Sequence, residues 1–323
     1  MTTPVVVATR RWTQRACDEL ARQFDVRLNQ EDHPLSLDEV RSRCEGATVL
    51  CPWGGDRLDA EFIASLPDTI KLIACISAGT EHVDIAAATA RGIVVANTPD
   101  VVTEETADMT FALLLGLCRR LVHGDTLIRT GGWQGLSIDD PNSGSRVWGK
   151  TLGIIGLGGI GTAVARRAAA FRMTVVYHNR TPKPEAEMAC DARYCATLDE
   201  LLQIADIVSL HCPLTEQTRN LIDANALSKM KSGAVLINTA RGAVVDEAAL
   251  SDALIQGKIA GAGLDVFLTE PGVGEHLTSL DNVLLSPHVG TATTETRDEM
   301  GLRVIENIKA FLSTGQPRDK VER

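Results

Sequence analysis

The stretch Thr151-Leu-Gly-Ile-Ile-Gly156-Leu-Gly158-Gly159-Ile160-Gly161 constrains this fold more than any other part of the chain. The apolar run 152–155 reads as a buried parallel strand, the G-x-G-x-x-G after it as a tight turn, and 162–171 as a helix. Each glycine has its own reason. Gly156 permits the turn, Gly158 lets the backbone approach a pyrophosphate, and Gly161 lets the helix pack against the strand. The free N–H groups at the helix start favour phosphate charge. The spacing alone is weak; with a strand before it and a helix after it, it predicts a dinucleotide site. A glycine-rich structural turn and the nucleotide pocket of a methyltransferase are the alternatives.

The next strand, 173–177, runs into His178-Asn179-Arg180-Thr181-Pro182-Lys183. An NAD site carries an acid about 20 positions beyond the glycines, where it accepts hydrogen bonds from the ribose hydroxyls. No carboxylate stands at this strand end. Asn179, Arg180 and Thr181 offer neutral and cationic donors instead, and a guanidinium pairs well with phosphate oxygens. The sequence therefore predicts NADPH (NADP+) as the preferred cofactor, with NADH usable. The bland alternative is a solvated arginine on a turn.

With 323 residues the chain has room for two domains and ample core. Strand and helix signals alternate throughout, which predicts α/β architecture with parallel sheets. Strands are expected over 5–8, 25–28, 47–50, 72–76 and 94–96, with helices over 15–23, 37–43, 59–66 and 85–91. A long connecting helix is expected over 104–120, followed by a loop over 130–150 that carries Trp133 and Trp148. From Thr151 the rhythm restarts, with strands over 152–155, 174–177, 207–210, 234–238, 263–266 and 283–285. Helices fit over 162–171, 197–205, 224–229 and 247–256, and a last one over 294–314. The expected fold is two doubly wound, Rossmann-like parallel-sheet domains. Residues 1–98 with 292–323 form a discontinuous substrate-binding (lid) domain, residues 99–291 the dinucleotide-binding domain, with a cleft between them.

A formal net charge of −10 argues against nonspecific binding to nucleic acid or an anionic membrane. The longest apolar stretch, 111–117, is too short to span a bilayer. Met1-Thr-Thr-Pro leads into the first strand without the basic and apolar regions of a signal peptide. Eight cysteines stand without metal-ligand spacing, several of them within apolar runs. Reduced buried thiols and a cytoplasmic location are expected, and no metal site.

Three segments fall at strand ends of the second half, the edge where open α/β sheets bind ligands. Asn238-Thr239-Ala-Arg241-Gly242 offers a guanidinium that could grip a carboxylate in a bidentate fork. Asp265-Val-Phe-Leu-Thr-Glu270-Pro271 and Ser286-Pro287-His288-Val-Gly290 offer an acid and an imidazole. Paired, Glu270 would orient the His288 ring and favour its cationic form, leaving the other nitrogen to protonate a carbonyl oxygen as hydride reaches the carbon. His211, in an apolar strand end, reads as a core residue. His82 and Asp84 lack a third ligand at metal spacing.

Taken in order, Ser77-Ala78-Gly79-Thr80, 91–99, the glycine turn, His211-Cys-Pro213-Leu-Thr215, 238–246, 264–271 and 286–293 resemble the D-isomer-specific 2-hydroxyacid dehydrogenases, glyoxylate/hydroxypyruvate reductase branch. The resemblance covers nearly the whole chain. It implies a split substrate domain, a central cofactor domain and a homodimer. It also implies that Arg241 binds the substrate carboxylate, His288 donates the proton and Glu270 partners that histidine. Ala78 and Gly79 would bind the carboxylate through backbone amides. Thr106, Gly159, Ile160, Gly161, Pro213, Thr239, Asp265 and Gly290 would line the cofactor. The implied reaction is reduction of a small 2-keto acid, glyoxylate or hydroxypyruvate, to the D-2-hydroxy acid. A bulkier keto acid such as 2-ketogluconate is the alternative substrate, and a nucleotide-sensing corepressor the alternative class. Two departures bear on substrate: Leu136 stands where the animal enzymes carry a second tryptophan, and 50–56 has no cluster of Lys or Arg to receive a substrate phosphate.

Overall fold

The computed structural model describes residues 3–135, 137–140 and 143–322, so the comparison at Leu136 lies outside the described residues. The chain divides into two compact units, residues 1–102 with 291–323 and residues 103–290.

In the first unit the strands are β1 (Val5–Ala8), β2 (Asp25–Leu28), β3 (Val49–Cys51), β4 (Leu72–Ala74) and β5 (Val94–Ala96). They form a five-stranded sheet in the order β2-β1-β3-β4-β5, parallel at each pairing. The inner strands β1, β3 and β4 are buried on both faces, which is why they read as unbroken apolar runs, whereas the edge strand β2 carries Asp25 and Arg27 and is partly exposed. Helices α1 (Gln14–Gln23), α2 (Leu37–Arg43), α3 (Ala60–Ser65) and α4 (Ile85–Ala90) connect them. Ala16 and Leu20 of α1 cover one face, together with Met300, Val304, Ile305 and Ile308 of the last helix, α13 (Thr294–Thr314). Val40, Phe62, Ile63 and Ala88 cover the other. Asp84 caps α4 by accepting the Ala87 N–H at 2.9 Å, which gives it a structural role.

The second unit opens with α5 (Thr103–Cys118) and α6 (Leu121–Arg129). The long helix expected through residue 120 therefore stops early: Arg120 is left-handed (φ 50°), and a second helix follows that sequence reading omitted. The strands are β6 (Thr151–Ile155), β7 (Thr174–His178), β8 (Ala192–Tyr194), β9 (Ile207–Leu210), β10 (Val235–Asn238), β11 (Gly261–Leu264) and β12 (Val283–Leu285). They pair in the order β12-β11-β10-β9-β6-β7-β8, parallel throughout. Between them lie α7 (Gly159–Ala170), α8 (Pro184–Cys190), α9 (Leu198–Ile204), α10 (Ala224–Lys229), α11 (Glu247–Ile255) and the short α12 (Glu275–Thr278). The helix after the glycine turn begins at Gly159, three residues before the expected start, because the last glycines already wind into its first turn. Strand β11 ends at Leu264, which places Asp265 beyond the sheet.

One face of this sheet packs on α9, α10 and α11, the other on α5 and α7. Because all seven strands run the same way, the segments after β6, β7, β9, β10, β11 and β12 leave the sheet at one edge. No helix among the described residues is long and apolar enough to cross a membrane.

Candidate active site

Three segments of the second unit converge on one carboxylate. Glu270 Oε2 meets His288 Nδ1 at 2.6 Å, and Glu270 Oε1 accepts the Phe267 N–H at 2.8 Å. Burial works against ionisation of Glu270, but the His288 ring, the Phe267 N–H and the nearby Arg241 charge outweigh it. The carboxyl is held below its usual range. With Nδ1 occupied by Glu270, Nε2 is the His288 nitrogen left to exchange a proton. The imidazole is half exposed.

Arg241 follows β10 and is half-buried. Its neighbour Asn238, 1 % exposed, ties the turn from within: Nδ2 donates to the Arg241 carbonyl at 3.0 Å, and Oδ1 accepts the Ala240 N–H at 3.0 Å. Gly242 seats this turn against the β11 exit. A Cβ there would fall 1.9 Å from the Phe267 carbonyl carbon, so only glycine lets the two backbones touch.

His288 itself is left-handed, with φ 54°. For a residue with a Cβ that conformation costs about 1–2 kcal/mol, so something must hold it. Asp265 does. Its carboxylate, 1 % exposed, accepts the N–H groups of Val289 at 3.0 Å and Gly290 at 2.8 Å. Thr106, in the first turn of α5, lies against the same spot, its Oγ1 4.0 Å from where a Gly290 Cβ would stand. Thr239 joins through Thr110, the two hydroxyls 3.0 Å apart, and Thr110 donates to the Thr106 carbonyl at 2.8 Å.

The glycine turn lies on the same sheet edge. Gly156 has φ 101°, and a Cβ on Gly161 would sit 2.2 Å from the Gly156 carbonyl oxygen, so helix and turn are in backbone contact. Gly158 caps α7 without a side-chain acceptor, and it and Gly159 are exposed with open space above Gly158. Ile160 is half-buried beside them. A cradle of unshielded backbone at a helix N-terminus fits the pyrophosphate of a dinucleotide. Asn179 Oδ1 accepts the Leu157 N–H at 2.7 Å, tying the end of β7 to this turn, while Arg180 and Thr181 are exposed beside it. Pro213, exposed after β9, accepts a hydrogen bond from Thr218 through its carbonyl at 2.7 Å.

Ala78 and Gly79 belong to the first unit, on the loop after β4. Asn97 Nδ2 donates to the Ala78 carbonyl at 2.6 Å and Ser77 Oγ to the Gly79 carbonyl at 2.7 Å, so the loop is fixed and half exposed. His211 is half-buried, with its ring turned inward. Nε2 bonds Ser209 at 2.8 Å, and Nδ1 is buried with no partner among the described residues. Burial lowers its pKa to about 3. No cluster of three or more His, Cys, Asp or Glu among the described residues is arranged to hold a metal ion. Sequence reading gave no role to Asn238, Thr110 or the Phe267 N–H; a paired Asn and Arg flanking a strand end was the only available sign.

Residues 111–290 match the family described as D-isomer specific 2-hydroxyacid dehydrogenase, NAD binding domain. The chain is 41 % identical over 323 residues to a glyoxylate reductase of Thermococcus onnurineus, covering 99 % of this chain and 96 % of that one. Among solved structures, the TT0316 protein of Thermus thermophilus superposes with a TM-score of 0.91 at 44 % identity, over 98 % of this chain and 100 % of that one. An NADPH-dependent glyoxylate/hydroxypyruvate reductase of Sinorhizobium meliloti, in complex with NADP and malonate, gives 0.89 at 36 % identity over 99 % and 97 %.

Proposed function

The chain belongs to the D-isomer specific 2-hydroxyacid dehydrogenase family, and from that premise we propose that it reduces glyoxylate or hydroxypyruvate to the D-2-hydroxy acid with NADPH. The observation that carries the reading is the 2.6 Å pairing of His288 with a Glu270 that also feels the Arg241 charge. The Sinorhizobium relative, an NADPH-dependent glyoxylate/hydroxypyruvate reductase, supports the substrate class.

The exposed glycine cradle would hold the cofactor pyrophosphate, with Thr106, Pro213, Thr239, Asp265 and Gly290 along the rest of it and Asn179, Arg180 and Thr181 at its adenosine end. A bound reduced nicotinamide supplies the hydride. Arg241 holds the keto-acid carboxylate in a bidentate pair. His288, protonated and oriented through Nδ1 by Glu270, gives its Nε2 proton to the carbonyl oxygen as the carbon is reduced. Glu270 stabilises the imidazolium before transfer and keeps the ring from rotating afterwards.

The large apolar side chains Leu121, Val122, Ile128, Trp133, Ile138 and Trp148 are exposed along α6 and the segment after it. A second copy of this chain is the proposed cover, making a homodimer. All eight cysteines are free, in keeping with a cytoplasmic location.

Steady-state turnover with glyoxylate, hydroxypyruvate and 2-ketogluconate, each with NADPH and NADH, tests the reading. Glyoxylate or hydroxypyruvate with NADPH should be the best pair. A preference for NADH by about tenfold or more would overturn the cofactor assignment, since tenfold is a full 1.4 kcal/mol in the wrong direction.

A further inference from the structure

The chain contains two tyrosines, and both hydroxyls bond the segment that carries Arg180 and Thr181. Tyr177, in β7, is fully buried. Its oxygen accepts the Lys183 N–H at 2.8 Å, and its hydroxyl donates to the Glu187 carboxylate on α8. Tyr194, in β8, donates to the Asn179 carbonyl at 3.2 Å, and the two rings lie 5.4 Å apart. Asn179 is thus anchored twice, through its carbonyl and its side chain, and Lys183 once. Between these anchors Arg180, Thr181 and Pro182 are exposed, with no comparable anchor among the described residues.

We propose that Tyr177 and Glu187 are positioning residues for cofactor choice. Their hydroxyl–carboxylate pair fixes the point where the turn enters α8, and so holds Arg180 and Thr181 in a fixed arrangement for a 2′-phosphate. Lys183 is the residue before Pro184, which opens the helix, and its side chain makes no capping bond. The Tyr177 oxygen is therefore what ties this junction to the sheet. Burial first, and the Glu187 carboxylate after it, push the phenol up to about 12, so the proton that Glu187 accepts stays on the oxygen throughout the working range. A pre-set turn presents the guanidinium without first having to order it, which favours the cofactor that uses it. NADH, lacking the phosphate, draws little on that arrangement.

The inference rests on the NADPH reading, and the test separates the two. Tyr177→Phe keeps the packed ring and removes the oxygen. KM for NADPH should rise about fivefold, the worth of one hydrogen bond, while KM for NADH and both kcat values stay within about twofold. Glu187→Leu should repeat that split, and it carries the test should Tyr177→Phe fail to fold. Glu187→Gln, which still accepts the hydroxyl proton, should restore the parental NADPH KM. An equal rise in both KM values, or no change in either, overturns the inference. A parent enzyme that prefers NADH overturns the NADPH reading beneath it.

Discussion

Asp265 holds Gly290 by a 2.8 Å hydrogen bond and Val289 by a second at 3.0 Å, and between them these bonds lock the left-handed backbone of His288. The His288 side chain is therefore aimed from behind, through the backbone that follows it. Asp265→Ala would leave two inward-facing N–H groups unpaired. It should cost about 2–4 kcal/mol in urea denaturation and lower kcat about tenfold or more. An unchanged kcat in a folded variant would remove Asp265 from the positioning of His288.

Glu270 is expected to stay ionised to lower pH than an ordinary glutamate. Its pKa is depressed in the folded protein, so the stability it contributes is fully present above the unfolded value, near 4.5, and is lost as pH falls through the folded one. Activity should accordingly show no carboxylate limb between about pH 5 and 6. Glu270→Gln should lower kcat about a hundredfold, since an amide neither charges nor fixes the imidazole in the same way, and His288→Gln by about 10²–10⁴. Cofactor binding, read by nicotinamide fluorescence, should survive both changes.

Gly161→Ala places a methyl group 2.2 Å from the Gly156 carbonyl oxygen, a backbone atom that cannot swing aside. Helix α7 must shift and the cradle open. Affinity for NADPH and NADH should fall together by about tenfold or more, with a stability loss of about 1–3 kcal/mol. That common loss contrasts with the selective one expected at Tyr177.

His211 is expected to make the protein acid-sensitive. Its folded pKa of about 3 lies below the unfolded 6.5, so the native state refuses a proton that the unfolded chain accepts. Stability from this residue is complete above pH 6.5 and declines by about 1.4 kcal/mol per pH unit as pH drops towards 3. Denaturation at pH 7 and pH 5 should show a drop in the parent that is about 2 kcal/mol smaller in His211→Asn. Equal drops would place the charge-sensitive group elsewhere.

The strand and helix rhythm was legible because strands buried on both faces have to be continuous apolar runs. Where the reading failed, the cause was local. The break between α5 and α6 falls on Arg120, neither Gly nor Asn, so nothing marked a left-handed residue. Helix α8 was not expected, although Pro184 stands at its first position, where proline is a start signal. Arg241, Glu270 and His288 stood out because guanidinium, carboxylate and imidazole side chains are chemically distinctive. Asn238 and the Asp265 clasp act on backbone N–H and C=O groups, which every residue has, so their partners could not be picked from the sequence. Gly290 suggested a special backbone in its neighbourhood, but the left-handed residue is His288 two positions earlier.

Helix α13 supplies Met300, Val304, Ile305 and Ile308 to a sheet whose strands all lie before residue 97. A chain leaving the ribosome thus carries β1–β5 with one side covered by α1 alone while the whole dinucleotide-binding unit is being made. The part translated first is finished last, and the half-covered side needs shelter until the final thirty or so residues emerge.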